Sequence, residues 1–301
     1  MKHKKPRYRA GTVAIMGRPN AGKSTLLNAL LGTKLAIVAA KPQTTRTTIQ
    51  GVLTLPQAQI VFTDTPGIHK SATLLNRRMM AAVRSAADSP DVALFVIDAL
   101  APFGEDDAHA VDLAKKIQAP VIAVLNKIDW LDAKPKILTL IEQYGALCDF
   151  AAYVPVSART GDGLGELLKE IVKRLPEGPA LFPEDYLTDQ PERYLAAEIV
   201  REKVLHHTRQ EVPHAVTVTV ESWEESRTLV RIAATIFVER PGQKAIPIGA
   251  GGTSLKKIGT LARLEMERLF GRKVFLQLFV KVQPGWRENP AMVASVDWRG
   301  A

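Results

Sequence analysis

Gly17-Arg18-Pro19-Asn20-Ala21-Gly22-Lys23-Ser24 follows the apolar run 12–16 and leads into the leucine-rich run 25–31. The spacing GxxxxGK[ST] between a strand-like and a helix-like segment is the pattern of a loop that wraps a polyphosphate. Main-chain N–H groups and a helix N-terminus converge on the anion, and glycine permits the close approach. In this reading Gly17, Asn20, Ala21, Gly22, Lys23, Ser24 and Thr25 hold the nucleotide. Lys23 places its ammonium between the terminal phosphates, and the Ser24 hydroxyl sits on the Mg2+ that bridges them. An ordinary glycine turn before a helix is the alternative.

Outward from this loop, residues 1–176 alternate short apolar runs with amphipathic segments, which predicts an open, mostly parallel α/β sheet covered on both faces. The clearest strands are 13–16, 60–62, 92–97 and 121–125, a further strand is read at 153–156, and helices are expected over 106–117 and 164–175. Ligands of such sheets bind at the carboxyl ends of the strands. Asp64-Thr65-Pro66-Gly67 stands at one such end, where Asp64 can hold the Mg2+ shell and Gly67 can offer its N–H to the γ-phosphate. Asn126-Lys127-Ile128-Asp129 stands at another. Guanine suits this motif, because its N1–H and exocyclic amine both donate to one carboxylate, whereas adenine would leave Asp129 unpaired. Ser157-Ala158-Arg159 ends the next strand, where its backbone can read the guanine O6.

In this order the motifs resemble the P-loop GTPases. The resemblance implies GTP/GDP and Mg2+ as cofactors and assigns Lys41-Pro42-Gln43-Thr44-Thr45-Arg46 to the first switch. Thr45, with Thr44 second, is then the threonine that coordinates Mg2+ in the triphosphate state, beside Ser24 and Asp64. Ile68 stands where Ras-like members carry the glutamine that orients the attacking water. Asn20 matches an asparagine that helps related members bind a monovalent cation, so K+ is expected to act in place of an arginine finger. The catalytic set is Asn20, Lys23, Thr45 and Gly67.

A punctuation cluster, Pro176-Glu177-Gly178-Pro179 with Pro183 and Pro191, sets a linker at 177–190 and a second, smaller α+β domain at 191–301. That domain reads as a helix (192–207), two strand runs (215–220 and 228–238), a glycine turn, a helix (260–270) and a strand (274–282). From Arg240 to Arg287 ten basic residues face two acidic ones, whereas from Leu181 to Glu239 six basic face eleven acidic. Such segregation suits a polyanion. Gly249-Ala250-Gly251-Gly252 fits the GXXG loop of a KH module, which clamps the backbone of about four nucleotides. Lys244, Ile248, Gly249, Ala250, Gly251, Gly252, Lys256 and Lys257 are the expected RNA contacts. The family commonly has a basic residue within this loop, and its absence here shifts phosphate contacts to the three lysines.

From Thr12 to Trp286 the chain resembles a two-domain bacterial subfamily of these GTPases that carries a C-terminal KH domain, with strings such as KPQTTR, DTPG, VERPGQK and VKVQPGW. Membership implies GTP hydrolysis, binding near the 3′ end of 16S ribosomal RNA, a role in 30S subunit assembly and loose association with the inner face of the cell membrane. No DNA partner is expected. A KH-type RNA-binding module that only senses GTP or GDP is the alternative function, and a tRNA-modifying GTPase is disfavoured because the one cysteine, Cys148, is far from the C-terminus.

The chain has 301 residues, 46% hydrophobic and 24% charged, enough for two cored domains. A lone cysteine excludes a disulfide framework and a thiolate metal site, and predicts a buried thiol. No apolar run reaches the length of a membrane span or signal segment, so a cytoplasmic protein is expected. His206 and His207, being adjacent, face different sides of a helix and make no metal pair. Gly161, Gly163 and Gly165 read as a turn and a helix start.

Overall fold

A computed structural model describes residues 7–39, 41, 44–68, 73–131, 135–208 and 215–300. Pro42 and Gln43 of the first switch therefore lie outside the described residues. Two compact units are present, one formed by 1–36, 47–71 and 78–189, the other by 37–46, 72–77 and 190–301.

The first unit holds a six-stranded sheet of order β2-β3-β1-β4-β5-β6, with β1 Arg9–Met16, β2 Ile49–Leu55, β3 Ala58–Asp64, β4 Val92–Asp98, β5 Val121–Asn126 and β6 Ala152–Pro155. β2 pairs antiparallel with β3, and the other pairings are parallel. Alternate residues of the central strands feed two cores. Leu94 and Val96 join Leu26 and Leu27 of α1 (Lys23–Leu31) and Ile171 of α5 (Leu164–Arg174) on one face. Phe95 and Ile97 join Val83 of α2 (Leu74–Ala87), Val111 of α3 (Glu105–Ala114) and Tyr144 of α4 (Pro135–Gly145) on the other. Burial on both faces is why these strands read as continuous apolar runs rather than alternating ones. The chain leaves β1 toward β3 on one side and returns to β4 on the other, so the reversal places the phosphate loop at the carboxyl end of β1.

The proline-rich stretch expected as a linker is fastened to this unit. Gln59, fully buried, accepts the N–H groups of Leu181 and Phe182 at 2.7 and 2.8 Å through Oε1, and its Nε2 donates to the Phe182 carbonyl at 2.9 Å. Val52 N–H donates to the Leu187 carbonyl at 2.8 Å, which covers part of the β2 edge.

The second unit carries a three-stranded sheet, β7 Thr217–Glu225, β8 Leu229–Val238 and β9 Lys273–Val282 in that order, with β7/β8 antiparallel and β8/β9 parallel. α6 (Glu192–His207), α7 (Pro241–Ile248) and α8 (Thr253–Phe270) complete the order α-β-β-α-α-β, and a short α9 (Pro290–Ala294) follows. Segment 37–46 belongs to this unit. Ile37 joins its core, Val38 N–H donates to Glu202 Oε1 at 2.8 Å, Arg201 donates to the Thr44 carbonyl, and buried Arg46 donates to the Val216 carbonyl at 2.8 Å while covering the Trp286 ring at 5.3 Å.

Cys148, expected to be buried, is half-buried beside the second core of the first unit, because it follows the end of α4 at the rim rather than within it. His206 Nε2 meets the Val38 carbonyl at 2.9 Å and His207 Nδ1 the Lys203 carbonyl at 2.8 Å, in keeping with helix-surface histidines. Gly163 opens α5 at a φ of 76°, where an added Cβ would lie 2.2 Å from the Pro155 carbonyl oxygen.

Candidate functional site

The phosphate loop closes against the end of β4. A Cβ at Gly17 would stand 2.4 Å from the Val96 carbonyl oxygen and one at Gly22 2.3 Å from Asn126 Nδ2, so both glycines are required by contact as well as by φ values of 144° and 96°. α1 begins at Lys23 with no side-chain cap, leaving its first N–H groups directed at the loop's concavity. Lys23 Nζ donates to the Gly17 and Arg18 carbonyls at 3.1 and 2.9 Å. Burial pushes this ammonium down to about 8, against the opposing pull of Asp64. Ser24 Oγ donates to Asp64 Oδ2 at 2.7 Å, and that carboxylate is fully buried. A hydroxyl and a carboxylate so placed form a hard-oxygen pair of the kind Mg2+ takes, and the glycine cradle beside them fits a polyphosphate.

Gly67 packs against the loop itself, since a Cβ there would stand 2.9 Å from Pro19 Cα. Ile68 is 2% exposed and belongs to the core formed with Met16 and Phe95. Its side chain is spent on packing, so it holds no water. Arg18, at a variable position of the loop, is gripped from two sides: Nη1 lies 3.2 Å from Asp107 Oδ2 of α3, and Nη2 lies 3.5 Å from Asp98 Oδ2 of β4. Asp107 also accepts the Gly104 N–H at 3.0 Å and the Tyr144 hydroxyl at 2.9 Å. Sequence reasoning missed both carboxylates. An aspartate closing a strand in line with Asp64 was the signal for Asp98, and three acids opening α3 were the signal for Asp107.

The residues expected from the sequence to read the base lie at the ends of β5 and β6. Asn126 Nδ2 donates to the Ala21 carbonyl at 2.9 Å, and its Oδ1 accepts Lys127 N–H at 2.8 Å and Ala158 N–H at 3.0 Å. Within the Ser157-Ala158-Arg159 backbone expected to read guanine O6, the Ala158 N–H thus donates to Asn126 in this structure. Lys127 Nζ donates to the Asn20 carbonyl at 2.8 Å and to Asp98 Oδ2 at 2.6 Å. Asp129 accepts Ser157 Oγ at 2.7 Å and Arg159 Nε at 2.8 Å. Burial penalises its charge, but the hydrogen bonds from Ser157 and Arg159 outweigh that and hold the carboxyl below its ordinary range. Arg159 also covers the exposed Trp130 ring at 4.9 Å.

Gly17 to Thr25, Asp64, Gly67, Asn126, Lys127, Asp129, Ser157 and Ala158 are therefore gathered at one end of one sheet. Thr45, assigned to the metal from sequence, lies in segment 37–46 of the second unit and is buried there.

In the second unit the glycine loop links α7 to α8. Gly249, Gly251 and Gly252 have φ of 72°, 56° and 80°, and added Cβ atoms at Gly251 and Gly252 would meet open space, so the loop presents bare backbone to a ligand. Ile248 is half-buried, and Ala250, Lys244, Lys256 and Lys257 are exposed. A groove of about 420 Å³ runs from Gly252 along Leu255, Lys256, Gly259, Thr260 and Arg263 of α8 to Leu276 and Leu278 of β9. Arg263 was not expected, although its spacing from Gly252, Lys256 and Gly259 puts it on the same helix face.

Residues 12–127 match a family profile described as a 50S ribosome-binding GTPase, and residues 211–287 match the KH domain. The chain is similar to the GTPase Era of Geobacter metallireducens, 49% identical over 97% of this chain and 98% of the relative, and to that of Ruminiclostridium cellulolyticum, 46% identical over the same shares. Among solved structures it is similar to a single-substitution variant of Aquifex aeolicus Era bound to GDP·AlF4−, with a TM-score of 0.91 and 43% identity over 95% of this chain and 97% of the other. A structure of Era with MgGDPNP and nucleotides 1506–1542 of 16S ribosomal RNA matches equally well, at 0.91 and 43% over the same shares.

Proposed function

We propose, because this chain belongs to the Era family of GTPases, that it is a nucleotide-timed RNA-binding factor of the small ribosomal subunit. Its reaction is hydrolysis of GTP to GDP and phosphate. The observation that carries the reading is the gathering of Lys23, the Ser24–Asp64 pair, Asn126 and Asp129 at one sheet end. Mg2+ would be held by Ser24 and Asp64, with Thr45 as the family's switch ligand, and would neutralise charge developing on the β and γ oxygens. Lys23 binds the same oxygens, the α1 N-terminus and glycine backbone orient them, and Asp129 selects guanine.

Buried Ile68 leaves no side chain at the water-orienting position, which supports a monovalent-cation route through Asn20, whose side chain is exposed at the loop. Turnover at saturating Mg2+ is expected to be faster in K+ than in Na+, and equal rates would overturn the K+ role.

The KH domain, residues 191–301 beyond the linker 177–190 and the GTPase domain 1–176, binds 16S ribosomal RNA through the bare glycine loop and the groove beside it. A relative bound to such RNA supports this. The chain then takes part in 30S assembly in the cytoplasm, with peripheral contact at the inner face of the membrane. Among the described residues no helix is long and apolar enough to cross a membrane. Single-turnover hydrolysis with and without the RNA fragment tests the reading. Acceleration by RNA is expected, and identical rates would favour the alternative, an RNA-binding module whose nucleotide domain only senses GTP or GDP.

A further inference from the structure

β9 is an edge strand of the second sheet, and its side chains alternate. Val274 and Val280 enter the core, while Lys273, Phe275, Gln277, Phe279 and Lys281 are exposed on the other face. Phe275 and Phe279 are 45% and 50% exposed. Four residues apart on one strand face, they are separated by about 13 Å. Arg231 of β8, opposite Phe275 in the register, holds its guanidinium 5.4 Å from that ring's centre. Lys281 lies beyond Phe279, and Lys273, at the other end, is 3.8 Å from Glu267. β9 carries no acid, and the exposed acids Glu221, Glu224 and Glu225 stand on β7, the far edge. Leu276 and Leu278, on the inner side of the same strand, line the glycine-loop groove.

Half-exposed aromatic rings interleaved with cations are the composition of a stacking platform for single-stranded nucleic acid, because every base has a π-face and every phosphate needs a counter-charge. A second copy adding to the β9 edge is disfavoured by the lysines at both ends of the strand. We infer that the outward face of β9 is a second RNA-contacting surface: a single strand leaving the glycine-loop groove passes over the β9 edge and stacks bases on Phe275 and Phe279, with phosphates near Arg231 and Lys281. This rests on the RNA-binding reading given above.

The full chain, titrated with the RNA fragment of nucleotides 1506–1542 and its truncations from either end, tests the inference. The double variant Phe275→Leu, Phe279→Leu keeps apolar bulk and removes both π-faces. It is expected to bind the fragment at least about fivefold more weakly for each lost stack, with the slope of log K against log salt unchanged because no cation is removed. Phe279→Trp is expected to retain affinity. The shortest piece that the glycine loop still holds, about four nucleotides, should bind the unaltered chain and the double variant alike. Equal affinity of the two proteins for the fragment, or an equal loss for the shortest piece, would overturn the inference while leaving RNA binding intact. A dimer in sedimentation that the double variant breaks would assign the face to a second copy instead. Failure of the unaltered chain to bind the fragment would remove the RNA-binding reading itself, and this inference with it.

Discussion

Lys127 Nζ lies 2.8 Å from the main-chain oxygen of Asn20, and these two are the non-glycine residues with positive φ among the described residues, at 71° and 61°. A left-handed conformation costs an L-residue about 1–2 kcal/mol. Each strained turn is thus held by the other, and the loop proposed to read the base is fastened to the loop proposed to hold the phosphates. Asp98 extends the fastening, since its Oδ2 meets both Lys127 and Arg18.

Arg18 is expected to act as a positioning residue of the phosphate loop. Its carbonyl accepts Lys23 Nζ while its guanidinium is anchored by Asp107 and Asp98. Arg18→Met leaves buried Asp107 without its cation while Asp98 keeps Lys127, so dissociation of a fluorescent GDP should accelerate by about tenfold, roughly 1.4 kcal/mol. Tyr144→Phe removes a different hydrogen-bond partner of Asp107 and should lower thermal stability without changing dissociation. Stopped-flow release rates beside melting curves check this, and equal release from Arg18→Met and the unaltered chain would sink it.

Asp129→Asn should move preference from guanosine to xanthosine nucleotides, because the new amide donates where the carboxylate accepted. GTP affinity should fall by about two orders of magnitude or more. Arg159 competes for the same carboxylate, so Arg159→Ala should speed GDP association. Trp130, stacked under Arg159, supplies the fluorescence signal. Retained guanine selectivity in Asp129→Asn would refute the assignment.

The parts of this site legible in the sequence are those whose chemistry is local. Glycines 17 and 22, Lys23, Asp64 and Asn126 stand in short strings at the ends of apolar runs, and the strands that carry them sit where the runs predict. Contacts between distant strings left no such mark. Nothing near Gln59 announces that it secures Leu181 and Phe182, so the proline-rich stretch reads as a free linker. β2 is not among the clearest strands of the sequence, and its antiparallel direction is set by the tight turn to β3, not by periodicity. α7 carries Gly242 and Pro247 and so breaks the helical pattern, yet Gln243 closes its first turn by accepting the Arg240 N–H at 2.9 Å. That residues 37–46 cluster with the second unit depends on Arg201 and Glu202, more than 150 positions away, a pairing that local pattern does not encode.

Gly22→Ala should abolish nucleotide binding. The added methyl would meet Asn126 Nδ2 at 2.3 Å and would hold a φ of 96° that L-residues rarely adopt. Displacing Asn126 also frees the Ala21 carbonyl and the Ala158 N–H that it pairs. Loss of GDP binding by calorimetry, with a cooperative melt retained, is the expected outcome, and near-normal affinity would show that the cradle has slack.

Nucleotide binding should take up a proton at alkaline pH. Burial pushes Lys23 down to about 8 from an ordinary 10.5, so between those values the unfolded chain holds a proton that the folded chain has released. Stability therefore rises with pH across that window, and the cost of burying the ammonium is fully present below it. Phosphates reverse the balance by favouring the charged form. GDP titrations at about pH 8.5, where the nucleotide's own phosphate is already ionised, should show heats that vary with the ionisation enthalpy of the buffer in the sense of proton uptake by the protein. The dependence on Lys23 should shrink at about pH 6.5, where the ammonium is already formed. Buffer-independent heats at the higher pH would mean that Lys23 is fully charged before the phosphates arrive.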